Sequence, residues 1–136
     1  MNRRTILVIE NDTDIQALTK FSLEMDGHWQ VDLANCVKAG LSKAKSIIPD
    51  VILLDSSASN IDIGEIIIQL KSSKSTRNIP IILFTTKLLD SKQLKNLNSS
   101  VIGTIYKPFD SLTLSTNITN ILKKKVQSIT RIASHC

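Results

Sequence analysis

Three stretches of this chain, TILVIE (5–10), DVILLD (50–55) and IPIILFTT (79–86), are apolar at nearly every position and stop at an acid or a hydroxyl. Runs of that kind have no polar face to offer water, so they read as strands buried on both sides, as in a parallel sheet covered by helices. Two more strands are expected. WQVDLA (29–34) alternates and so has one wetter face, nearer an edge, and VIGTIY (101–106) is the fifth. Amphipathic stretches lie between them. DIQALTKFSLEM (14–25) brings Ile15, Leu18, Phe21, Ser22 and Met25 to helical spacing. VKAGLSKAKSII (37–48) is helical and closed by Pro49, and IGEIIIQLKSS (63–73) is helical as well. DSKQLKNLN (90–98) is a weak, polar helix, and residues 110–129 form a long last helix with Asp110 or Ser111 as cap. Five β-then-α units imply an α/β fold, a parallel sheet with helices on both faces.

The 136 residues are enough for one domain with a real core, and 42% apolar with 21% charged residues is ordinary for a globular chain. No run is long and apolar enough to span a bilayer, and MNRRTILVIEND is too short in its apolar part for a signal peptide, so no membrane role is expected. Cys36 and Cys136 have no metal-ligand spacing and read as free thiols of a cytoplasmic protein. The net charge of +5 is scattered apart from Lys123, Lys124 and Lys125, and aromatics are 4% of the chain. A solvated surface fits this better than a nucleic-acid platform.

In open parallel sheets ligands bind beyond the carboxyl ends of the strands. Those positions hold Glu10-Asn11-Asp12 after strand one, Asp55 at the end of strand three, Thr85-Thr86 at the end of strand four and Lys107-Pro108-Phe109 after strand five. Taken singly each has a plainer reading, an acid as a helix cap, a threonine satisfying backbone, a Lys-Pro turn. Together they suit a hard divalent cation beside a carboxylate that receives a phosphoryl group, with Lys107 and Thr85 as partners for the phosphoryl oxygens. Asp12 is expected as the first helical residue, its charge favouring the helix N-terminus.

The segments ILVIENDTDI, PDVILLDSSASNIDIG, IPIILFTTK and GTIYKPFDSLTL, spread over about residues 5–122, resemble the receiver domain of two-component response regulators. The resemblance implies a three-layer, flavodoxin-like (βα)5 fold with strand order 2-1-3-4-5. It puts Asp55 at the phosphoacceptor position, Glu10 and Asn11 at the acidic pair that holds Mg²⁺ together with Asp55, and Ser57 where a backbone carbonyl binds the metal. Thr85 takes the switch-hydroxyl position, Lys107 that of the family lysine, and Thr104 that of the aromatic switch residue. The Lys107–Pro108 bond is cis on this pattern. Four positions depart from it. Asn11 replaces an aspartate, Ser59 a proline, Ile63 a glycine (Gly64 follows), and Thr104 an aromatic ring; Tyr106, one before the lysine, is expected to face away from it.

The implied function is that of a stand-alone response regulator, residues 1–124, with 125–136 as a helical extension or tail. It takes a phosphoryl group from a histidine kinase or phosphotransfer protein in a Mg²⁺-dependent reaction and signals by protein contact. It is not an enzyme beyond its own phosphorylation and dephosphorylation. Asn11, which removes a charge from the metal site, favours an alternative: a pseudo-receiver that binds partners without phosphorylation. A small-ligand binder ranks last because no Gly-rich phosphate loop is present. Ile118, Leu122, Val126, Ile129 and Ala133 repeat at helical spacing past the usual domain end, which raises the expectation of a homodimer or a partner contact there.

Overall fold

Each apolar run forms a strand, and alternation along it sends side chains to two faces. The computed structural model describes residues 3–55, 63–85 and 101–134, with side chains up to residue 124. The strands are β1 (Arg4–Ile9), β2 (Trp29–Ala34), β3 (Val51–Asp55), β4 (Ile81–Thr85) and β5 (Val101–Tyr106). The helices among the described residues are α1 (Thr13–Glu24), α2 (Val37–Ile47), α3 (Ile63–Lys71) and α4 (Leu114–Ser134). All strand pairs are parallel and the order is β2-β1-β3-β4-β5, the order that the sequence resemblance implied. The expected helix at 90–98, Thr86, and Ser57 and Ser59 of the loop after β3 lie outside the described residues.

Leu7 and Ile9 of β1, with Ile52 and Leu54 of β3 and Ile81 and Leu83 of β4, pack against Val37 and Ala44 of α2 and Ile66, Ile67 and Leu70 of α3. The alternate set, Ile6, Val8, Val51, Leu53, Ile82 and Phe84, packs against Leu23 of α1 and Leu114, Ile118 and Leu122 of α4. The inner stripe of α4 thus follows the four-residue spacing of its sequence. Helices α1 and α4 lie side by side on that face. Gly40 of α2 packs directly on β1: a Cβ there would stand 2.5 Å from Ile9 Cδ1.

The α1 stripe differs from expectation. Thr19, Ser22 and Leu23 are buried and Ile15 packs on the core, whereas Leu18, Phe21 and Met25 are 47%, 63% and 47% exposed. Stripes one residue apart share Ile15 and Ser22, so spacing alone does not separate them. The small hydroxyl residues 19 and 22 face inward where α1 crowds the sheet and α4, and Ser22 satisfies its hydroxyl by donating to the Leu18 carbonyl at 2.7 Å. Three helix ends also differ in detail. Asp12 is the N-cap of α1, accepting from the amides of Asp14 and Ile15 at 2.9 and 3.1 Å, rather than the first helical residue. Asp110 accepts from the Leu112 amide at 2.9 Å and closes a turn that precedes α4. Helix α2 ends one residue before Ile48, which takes a left-handed conformation (φ 46°, ψ 71°) ahead of Pro49. β2 is an edge strand, pinned by Trp29, whose buried indole N–H donates to the Ser115 hydroxyl of α4 at 3.1 Å.

Candidate functional site

Parallel register brings the carboxyl ends of β1, β3, β4 and β5 to one edge of the sheet. Glu10 follows β1 and is 1% exposed. Its amide donates to the Ala34 carbonyl at 2.9 Å, its carbonyl accepts from the Gln16 side-chain amide, and its Oε1 accepts from the Asp12 amide at 3.2 Å. Both ends of the residue are therefore fixed by the turn into α1. Asp55 ends β3 at 2% exposure, in register with Phe84 of β4. Lys107 follows β5; its amide donates to the Thr85 carbonyl at 2.8 Å, and the Lys107–Pro108 bond is cis, as expected.

These anchors converge on one ammonium. Lys107 Nζ lies 2.7 Å from Glu10 Oε2 and 3.2 Å from Asp55 Oδ1, with its side chain 7% exposed. It also stands 4.7 Å from the centre of the Phe84 ring, which in turn meets the Phe109 ring at 5.3 Å. Burial pushes the Glu10 carboxyl above its ordinary value; the Lys107 ammonium pulls it back and the neighbouring Asp55 carboxyl pushes it up again. Two acids and one cation share a nearly dry site, so a further cation or a proton relieves the excess negative charge.

The sequence-derived set is brought together in part. Glu10, Asp55 and Lys107 are in direct contact. Thr85 is fully buried at the same edge, one residue past the Asp55–Phe84 pair. Asn11 adjoins Glu10 but is exposed. Thr104 is half-buried on β5 in register with Leu83; with Tyr106 it lines an open groove of about 490 Å³ between β5 and α4. Ser57 lies outside the described residues. Phe84 and Gln16 were not picked out from the sequence, and Phe109 was named at the strand-five end without a role. Phe84 is set beside Asp55 by the β3–β4 register, which the sequence does not carry.

No cluster of three or more acidic, histidine or cysteine side chains suited to a metal occurs among the described residues. The donors at the edge are oxygens, the Glu10 and Asp55 carboxylates and the Asn11 amide. That set fits a hard cation which keeps several waters and needs only one or two carboxylates.

Residues 6–119 match the response regulator receiver domain family. The chain belongs to that family. It is 32% identical over 122 residues to the response regulator ArlR of Staphylococcus saprophyticus, covering 90% of this chain and 54% of that protein. It is 29% identical over 125 residues to hybrid signal transduction histidine kinase D of Dictyostelium discoideum, covering 91% of this chain and 8% of that protein. The chain thus spans about half the length of ArlR and a small part of the kinase. Among solved structures, chemotaxis protein CheY4 of Vibrio cholerae superposes with a TM-score of 0.79 at 20% identity, over 88% of this chain and 99% of that one. The N-terminal domain of a response regulator receiver protein from Methanoculleus marisnigri gives 0.74 at 26% identity, over 89% and 98%. These likenesses carry the flavodoxin-like fold. The receiver is a signalling domain, and no helix among its described residues is long and apolar enough to cross a membrane.

Proposed function

We propose that this receiver accepts a phosphoryl group on Asp55 from a histidine kinase or phosphotransfer protein and signals through protein contacts in the cytoplasm. The observation that carries the reading is the Lys107 ammonium seated between Glu10 and Asp55, a contact that ties together three strand ends. An Asp55 carboxylate oxygen attacks phosphorus; the bond from phosphorus to the donor nitrogen breaks, and an acyl phosphate forms. Lys107 exchanges a carboxylate partner for a phosphoryl oxygen, so positive charge is in place before negative charge arrives. The Thr85 hydroxyl is the second partner for those oxygens. Glu10, Asn11, Asp55 and the Ser57 carbonyl would hold Mg²⁺, which supplies charge neutralisation to the phosphoryl oxygens. Thr104 has no ring to move inward behind Thr85, so the groove beside it offers partners a surface whose shape depends less on an aromatic switch.

Intact mass after incubation with Mg²⁺ and acetyl phosphate tests this. One added phosphoryl group is expected on the wild type and none on Asp55→Asn; equal labelling of both removes the assignment. The alternative, a pseudo-receiver that works without phosphorylation, draws on the amide at position 11. It becomes the better reading if the wild type takes up neither Mg²⁺ at millimolar levels nor phosphoryl groups.

A further inference from the structure

Lys107 has a third neighbour that ion pairing does not explain. Phe84 is fully buried, stands in register with Asp55, and presents its ring 4.7 Å from the Lys107 Nζ. An ammonium this close to a ring face, inside about 6 Å and shielded from water, is attracted by the ring's quadrupole. The ring also meets the tilted ring of Phe109, two residues after the lysine, at 5.3 Å. A flexible four-carbon side chain between two carboxylates could settle on either one. The ring adds a directional contact from β4, whose Phe84 is in register with Asp55, and so limits how far the ammonium can stray from its place 2.7 Å from Glu10 and 3.2 Å from Asp55. We propose that Phe84 is a positioning residue: its ring keeps the Lys107 ammonium, whose shorter contact is to Glu10, within reach of Asp55. The consequence for phosphoryl transfer rests on the function proposed above; the contact itself does not.

The test replaces Phe84 with trifluorophenylalanine, which keeps the shape of the ring and drains its π density, in the wild type and in Lys107→Leu (Leu, so that no sulfur meets the ring). Urea unfolding is read in both backgrounds. Fluorination is expected to lower the folding equilibrium constant by about threefold to tenfold more when Lys107 is present than when it is absent, because the contact with Phe109 changes alike in both backgrounds. An equal effect in both backgrounds overturns the proposal. Phe84→Leu, where it folds, should show the same dependence on Lys107. The rate of labelling by acetyl phosphate with Mg²⁺ is then compared in the wild-type background, and a fall of about threefold or more is expected with the fluorinated ring. A lower stability with an unchanged labelling rate overturns the positioning role. A wild type that is never labelled refutes the phosphoryl reading instead, and the two-background unfolding comparison still decides whether the ring holds the lysine.

Discussion

Replacing Lys107 with methionine keeps most of the length of the side chain but removes the charge. Its ammonium is 2.7 Å from one carboxylate and 3.2 Å from another. At an effective dielectric near 20 these contacts are worth about 6 and about 5 kcal/mol before desolvation is counted. In the wild type much of that is offset by taking three charges out of water, so the sum is no measure of the net contribution. Once the cation is gone the offset remains and the attraction does not, which in buried pairs costs about 3–5 kcal/mol. Proton uptake limits the loss. Putting one proton at pH 7 on a carboxyl whose ordinary value is 4.5 costs about 3 kcal/mol, so a variant that binds one proton is not much worse off than that.

We therefore expect Lys107→Met to lose about 3–4 kcal/mol at pH 7. The sign of the pH dependence follows from the Glu10 carboxyl. Its folded-state value is raised, so the folded protein binds more protons than the unfolded chain above pH 4.5, and stability falls as pH rises through that window. Without Lys107 the window reaches higher. The deficit relative to wild type should shrink by about 1.4 kcal/mol for each pH unit below 7, until the extra proton is bound in both proteins. Urea unfolding followed by the fluorescence of buried Trp29, in EDTA between pH 5.5 and 8, measures both quantities. A deficit that stays constant over this range, or no deficit at pH 7, would refute the view that Lys107 compensates buried carboxylates.

Thr19 Oγ1 is buried and has no hydrogen-bond partner among the described residues, so Thr19→Val should raise stability by about 1 kcal/mol in urea unfolding. Ile48 holds a left-handed backbone with its side chain 56% exposed; Ile48→Asn should relieve about 1 kcal/mol of strain, and a drop in the unfolding midpoint would contradict this. Asn11→Asp should tighten Mg²⁺ binding by tenfold or less, read by amide NMR titration of both proteins, because position 11 is exposed and solvent screens the added charge. Helix α4 has 21 residues and is about 30 Å long, against about 20 Å for a six-residue strand, so it is longer than the strands it packs on. We propose that residues 125–136 form a dimer or partner contact; light scattering should show a dimer for the full chain and a monomer for a truncation after Lys124, and two monomers would exclude the dimer.

Strand positions and the site edge were legible because burial on both faces leaves an unmistakable apolar run, and because each such run ended on a residue with chemistry. Strand order was not in the runs themselves; it came from the family resemblance, since a parallel sheet of five strands admits several orders that satisfy the same pattern. The inward face of α1 was illegible for a local reason. Leu18, Phe21 and Met25 are the larger apolar side chains, yet Thr19 and Ser22 are the ones buried, and hydropathy ranks them the wrong way when the space between helix and sheet is small. Phe84 escaped notice for the opposite reason: in IPIILFTT it looks like one more core residue, and only the register with Asp55 distinguishes it.

The departure at position 11 carries less weight than the sequence suggested, and the difference lies in where the charge is missing. Glu10, Asp55 and Lys107 are nearly dry and mutually paired, so losing Lys107 leaves two uncompensated carboxylates in a poor dielectric, and losing either acid takes away one of the ammonium's two partners. Asn11 is exposed and belongs to none of those pairs. An amide there keeps an oxygen for a cation and removes a charge that water would have screened in any case. It also lessens repulsion among the acids when no cation is bound. Under the function proposed above, the buried contacts among Glu10, Asp55 and Lys107 do not involve Asn11, and the amide is expected to adjust metal affinity rather than abolish phosphoryl transfer.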